Sequence, residues 1–324
     1  MQFRTEVEIE SSKSKIEHNH KIFLIGSCFA ENISKKLNYF KFGTLLNPTG
    51  IIYNPISIYN TIDLINSNKI FEKNDLIYHN GEFHSFYHHS DFSSHDPLQS
   101  LEKINSSLKD AREFLKASEW IVISLGTALV FEFINEKRIV SNCHKIPAKE
   151  FKSFRLNLHE TVDYISRMIT IINQISPHAK IILTVSPIRH WKNGAVENQL
   201  SKSTLLLAVN EVVKNIPIAD YFPSYEILMD DLRDYRFFAS DLLHPSEQAV
   251  NYIWEKFSTT YFSDDCFRVM NEIKKIVEAR NHKPRNKESN LFLQFKKKYY
   301  DLSSQLLLKY QYLDLEDEIK YFKE

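Results

Sequence analysis

The chain has 324 residues, 43% hydrophobic and 13% aromatic, enough to bury one large core or a core with a smaller appendage. Lysine plus arginine and aspartate plus glutamate number 41 each, so no chain-wide field draws the protein to nucleic acid or an anionic membrane. The opening MQFRTEVEIESSKSK lacks the order of a secretory signal, no apolar run approaches the roughly 18 residues of a membrane span, and three cysteines without a CxxC pair disfavour a disulfide framework; a cytoplasmic protein is the expectation.

Residues 21–26, KIFLIG, read as a buried strand that stops at Gly26 and turns at once into a helix, with Ser27 and Cys28 at the join. After the turn sequence LNPTGIIYNP, which holds Gly50, SIYNTIDLINS carries apolar residues at helical spacing. KIFEKNDLIYHNGEFHSFYHH then predicts a hairpin, and DPLQSLEKINSSLKDAREFLKA a helix. WIVISLG is a second buried strand ending at Gly126, followed by a second hairpin, LVFEFINEKRIVSNC, and the helix NLHETVDYISRMITIINQIS. KIILTVSP is the third clear strand, SPIRHWKNGAVENQLSKS reads as a loop, and SKSTLLLAVNEVVKNI as a helix. This alternation predicts an α/β fold, a parallel sheet covered by helices on both faces, with hairpins inserted. From Asp264 onward strand signals vanish, so residues 1–263 are expected to form the α/β domain and 264–324 a helical extension, with RNHKPRNKESN as a polar break. Leu306, Leu307 and Leu308 on the last long helix offer a surface for packing on the sheet domain or for self-association.

Gly26 and Gly126 mark the carboxyl ends of parallel strands, the edge beyond which ligands bind in open sheets. A thiol at the first position of a helix lies near unpaired amides and the positive end of the dipole, which favour thiolate, so Cys28 is a candidate nucleophile. The bland alternative makes Cys28 a small buried residue and Ser27 an ordinary helix cap. In ASDLLHPSEQAV, Asp241 stands three residues before His244, a spacing at which the carboxylate can accept from one imidazole nitrogen and leave the other as a base. Five imidazoles lie between positions 79 and 95; His84 and His88 would share a strand face, yet a hairpin edge at the pocket mouth, with His89 near substrate, is preferred to a metal site. Arg189, His190 and Lys202 follow the third strand and suit an acidic group such as a phosphate or sugar acid, or else a solvated loop. A lone Gly26 cannot supply a dinucleotide-binding G-x-G-x-x-G turn.

Residues 26–30 spell GSCFA, and the chain resembles the GSCFA family of the SGNH (GDSL-like) hydrolase superfamily through LNPTGIIYNP, SLGTALVFE, SNCHKIP, TVSPIRH, VENQLSKS and YFPSYEILMDDLRDYRFFASDLLHPS. The resemblance implies a three-layer α/β/α sandwich and metal-free ester or amide acyl hydrolysis, sometimes acyl transfer, on a small-molecule or saccharide acyl ester with no cofactor. Laid on the superfamily's Gly-Asp-Ser-Leu block without gaps, LIGSCFA puts Cys28 on the nucleophilic serine; a one-residue shift would promote Ser27. Asp241 and His244 match the Asp-x-x-His block as orienter and base. Of the oxyanion donors that the resemblance implies, Gly50 supplies the second, but the Gly-x-Asn block reads Gly126, Thr127, Ala128 and lacks its asparagine. The Thr127 hydroxyl, or Asn142 with His144 from the hairpin, are the candidates to replace it. A noncatalytic ligand- or partner-binding module on the same fold is the alternative.

Overall fold

The structure is a computed structural model that describes residues 4–284 and 289–323. The chain begins with β1 (Ile22–Gly26), α1 (Cys28–Tyr39), β2 (Thr44–Leu46) and α2 (Pro55–Ser67), then the hairpin β3 (Ile77–His79) and β4 (Glu82–His84). There follow α3 (Pro97–Lys116), β5 (Trp120–Leu125), β6 (Leu129–Phe133), β7 (Arg138–Val140) and β8 (Phe151–Arg155). After α4 (Leu158–Ile175), β9 (Lys180–Val185), α5 (Gly194–Asn215) and β10 (Ala219–Phe222), a short α6 (Ser224–Glu226) runs into a π-helical turn at Ile227–Asp231. The chain closes with α7 (Glu247–Tyr261), α8 (Asp264–Asn281), α9 (Asn290–Lys309) and α10 (Glu316–Lys323).

The central sheet has the order β10-β9-β5-β1-β2, every pair parallel. The three strands read from sequence are its middle; β2 and β10, three and four residues long, are the edges that no periodic signal announced. Because side chains alternate along a strand, each central strand feeds two cores. Phe23, Ile25, Ile121, Ile123, Ile181 and Leu183 pack with α2 to α5 on one face. Ile22, Leu24, Val122 and Ile182 pack with Phe29 and Ile33 of α1 and Ile253 and Phe257 of α7 on the other. The result is the predicted three-layer sandwich.

At Gly26 φ is +127°, and a Cβ would lie 2.1 Å from the Ser124 carbonyl oxygen. Glycine alone allows β1 to end this close to β5. Ser27 then caps α1, and the chain turns away from the sheet at the edge where the site is built. Both predicted hairpins form, and β8 pairs with β6 to make the second a three-stranded sheet.

The C-terminal helices build a third core from Val269, Ile273, Ile276, Leu306, Leu315 and Phe322. The expected boundary at residue 264 falls at the first residue of α8, whose Cys266 and Met270 belong to the sheet domain's core. Glu318, 1% exposed, meets Lys41 at 2.8 Å and Arg280 at 2.7 Å, so a carboxylate of α10 ties the extension to the turn after α1. Leu306 is buried and Leu308 exposed. The predicted polar break spans residues 280–290, of which 285–288 lie outside the described residues. Among the described residues no helix is long and apolar enough to cross a membrane.

Candidate active site

Ser27 is engaged twice: its Oγ accepts the Phe29 N–H at 3.3 Å and lies 2.8 Å from Ser124 Oγ, and the residue is 1% exposed. Cys28, the first residue of α1, is half-buried with Sγ 3.8 Å from the Tyr53 hydroxyl. Burial pushes its thiol pKa up, opposed by the Tyr53 hydrogen bond and reinforced by the Glu31 carboxylate. This runs against the expected thiolate: the loss of water around a sulfur anion favours the protonated thiol.

The turn at residues 239–245 holds itself. Asp241 Oδ1 accepts the N–H groups of Leu243 and His244 at 3.0 Å each, and its Oδ2 accepts from His244 Nδ1 at 2.6 Å. Leu242 takes φ +59°, the left-handed conformation that closes the turn. The His244 amide, then the Leu243 amide and the imidazole, hold the Asp241 carboxyl down at about 2. Among the described residues His244 Nε2 carries no hydrogen bond. Ser27, Cys28, Tyr53 and His244 line one cleft of about 300 Å³, together with Ile188, Arg189, His190, Trp191 and Lys192.

The expected oxyanion donors are engaged elsewhere. The Gly50 N–H donates to Asn47 O at 2.8 Å, closing a turn, and the Gly126 and Thr127 amides both donate to Tyr53 O, at 2.7 and 3.0 Å. The Thr127 hydroxyl accepts from the Leu129 N–H and bonds Ser201 Oγ. What these bonds hold in place is Tyr53, which sequence reasoning missed although LNPTGIIYNP contains it. A Cβ on Gly126 would come within 3.2 Å of Tyr53 and 3.0 Å of His190 Nε2, so this glycine makes room for both rings at the end of β5. Burial, with Cys28 and Glu31 nearby, raises the Tyr53 pKa, which keeps the phenol a neutral donor.

Beside the cleft, and sharing Tyr53, His190 and Lys192 with it, lies a cavity of about 400 Å³. Ile51, Leu129, Phe131 and Val140 give it an apolar wall; Thr127, Asn142 and His89 also line it. His144 lines neither space. It is buried, its Nε2 bonds Ser85 O at 2.8 Å, its ring stacks on His84, and burial lowers its pKa to about 4. The Asn142 side-chain oxygen accepts the His144 N–H, so that pair locks the hairpin end. β4 stops at His84, and His88 lies beyond it in a buried turn, bonded to Ser85 Oγ, with burial lowering its pKa to about 3. The two do not share a strand face.

Of the three basic residues read from TVSPIRH and VENQLSKS, Lys202 is sealed. It is fully buried, donates to Gly126 O and Ser186 O at 2.6 Å each, and has its pKa lowered to about 7 by burial and then by Arg189. It braces the ends of β5 and β9 and meets no solvent. The presumed loop is half helix, since α5 begins at Gly194. His190 is held neutral, its pKa lowered to about 4 by burial. Arg189 lines the cleft, its guanidinium 5.3 Å from the Trp191 ring centroid, and its backbone N–H donates to Leu243 O in the His244 turn.

Compared with solved structures, the chain is similar to a carbohydrate esterase family 3 enzyme from Talaromyces cellulolyticus, at 8% identity over 79% of this chain and 99% of that one, with a TM-score of 0.34. A family 3 carbohydrate esterase from Clostridium thermocellum gives 9% identity, 79% and 99% coverage and 0.35. An acetyl xylan esterase from Butyrivibrio proteoclasticus gives 11%, 78%, 64% and 0.36. No curated protein matches the chain. Residues 273–324 match the C-terminal domain of GSCFA domain proteins, and residues 21–257 match the GSCFA family model. The chain belongs to the GSCFA family.

Proposed function

We propose that the protein hydrolyses an acyl ester, or transfers its acyl group, with Cys28 as nucleophile, His244 as general base and Asp241 as the group that orients the imidazole. The observation that carries this reading is the one cleft lined by Cys28 and His244, with Asp241 bonded to the imidazole's far nitrogen. Cys28 is preferred to Ser27 because the Ser27 hydroxyl already caps α1 and bonds Ser124. Burial keeps the thiol protonated, so attack begins with His244 Nε2 taking the Cys28 proton as sulfur bonds the acyl carbon. The oxyanion is met by the Tyr53 hydroxyl and the Cys28 N–H at the start of α1, in place of the missing asparagine. Collapse breaks the carbon–oxygen bond, and the leaving alcohol takes the proton from His244. Water, deprotonated by His244, then cleaves the thioester and restores the thiol; an acceptor alcohol in its place gives acyl transfer. The scheme uses side chains and water, and the adjoining cavity holds the bulk of a small-molecule or saccharide substrate.

Incubation with 4-nitrophenyl acetate and mapping of the acyl adduct by mass spectrometry tests this. An adduct on Cys28 is the expected result; one on Ser27 moves the nucleophile. The engaged amides of Gly50, Gly126 and Thr127 favour a second reading, a binding module without turnover, under which neither residue is acylated.

A further inference from the structure

The cleft is lopsided in charge. Its nine lining residues include Arg189 and Lys192 and no carboxylate. Most guanidinium groups elsewhere are met by acids, as Arg155 is by Glu197 and Arg280 by Glu318, while Arg112 donates to the Ile65 carbonyl. Among the described residues Arg189 and Lys192 form no ion pair; the side-chain partner of Arg189 is the weak acceptor Met229 Sδ at 3.6 Å. Its Nε is buried without a partner, as is Nε2 of the adjacent His190. The fully buried Lys202 lies behind this wall, its Nζ donating to the Gly126 and Ser186 carbonyls. A partly buried guanidinium with an unmet N–H is costly, and its planar fork suits carboxylate or phosphate oxygens. Trp191, 47% exposed, supports the guanidinium face and leaves an apolar platform at the cleft mouth.

We infer that the substrate carries an anionic group, a carboxylate or a phosphate, close to its acyl ester, and that Arg189 and Lys192 receive it. This rests on the acyl-ester reading and adds the class of ester. Asp241, the carboxylate bonded to the cleft's His244, is engaged with that imidazole and its own turn.

Two measurements test it on the full chain. The first is the preference, as a ratio of kcat/KM values, for mono-4-nitrophenyl succinate over 4-nitrophenyl butyrate. It should favour the succinate ester in the wild type, fall at least tenfold in Arg189→Gln and severalfold in Lys192→Gln, and recover in part in Arg189→Lys. The second is protection of Cys28 from iodoacetamide by inorganic phosphate or by succinate at ionic strength held constant with sodium chloride. Saturable protection that weakens at least fivefold in Arg189→Gln supports the site, and the anion that protects at lower concentration separates phosphate from carboxylate. Protection equalled by chloride, or unchanged in both variants, overturns it whether or not either ester is turned over. If Cys28→Ala still hydrolyses the esters while phosphate or succinate protects the wild-type thiol, Cys28 falls as the nucleophile and the anion site stands.

Discussion

Where the edge carrying Ser27 and Cys28 is held by residues from far along the chain, the edge carrying Asp241 and His244 holds itself. The Gly26 N–H donates to Asn47 Oδ1, Ser27 bonds Ser124, and Tyr53 is fixed by amides of Gly126 and Thr127. Asp241 finds all three of its partners within three residues, in an exposed turn. The turn meets the rest of the cleft through backbone, by Arg189 N–H to Leu243 O at 3.3 Å, while Ala239 N–H to His244 O at 2.8 Å closes it. The difference teaches which changes are local. A substitution in the turn alters orientation and charge with little cost to the fold, whereas one at the strand end disturbs several partners together.

The sharpest way to break the comparison is at the sulfur. Cys28→Ala should lower ester turnover by about 10⁴-fold or more, while Ser27→Ala keeps a measurable fraction and loses about 1 kcal/mol of stability in urea unfolding through its lost cap. The reverse order would assign the chemistry to the buried serine. Asp241→Asn comes next, with kcat reduced by roughly 10²–10³-fold and the melting temperature nearly unchanged, because the amide still accepts from the turn's N–H groups but no longer stabilises an imidazolium. A large drop in melting temperature would show that the turn is not self-sufficient. Tyr53→Phe should lower kcat by about 10²-fold with little change in KM, the signature of a donor used in the transition state; a loss confined to KM would make Tyr53 a binding residue.

Stability against pH separates the same two regions. His18, His144 and His190 have folded pKa values lowered to about 4 and His88 to about 3, each chiefly by burial, below the ordinary 6.5. In that window the unfolded chain binds more protons, so these groups favour folding fully above about pH 6.5 and progressively less as pH falls through 4. The melting temperature should therefore decline steadily from pH 7 to pH 4, and His144→Gln should flatten part of the decline. An unchanged melting temperature across that range would mean these imidazoles are not buried neutral in solution.

The same contrast decides what is legible in the sequence. The hydrogen bond between Asp241 and His244 can be read because it depends on a spacing of three; β1, β5 and β9 can be read because burial on both faces leaves continuous apolar runs. The edges β2 and β10 and the strand β8 are short and owe their form to neighbours, so local pattern does not announce them. Lys202 precedes an apolar run on α5 and gives no sign that its ammonium will reach Gly126 O and Ser186 O. The direction of the Cys28 pKa is hidden for a related reason: the helix start is local, but the burial that raises the pKa comes from the fold.

Between residues 257 and 273, where the two family matches leave a gap, runs the first half of α8. One side of that helix, through Cys266 and Met270, completes the core over α1 and α7, and the other, through Val269 and Ile273, opens the helical core. A helix owned by two cores makes them heritable as a pair. Recombination that joined or lost the C-terminal module at residue 273 would need to keep α8 whole, and one that cut at 264 would bare the sheet domain's flank.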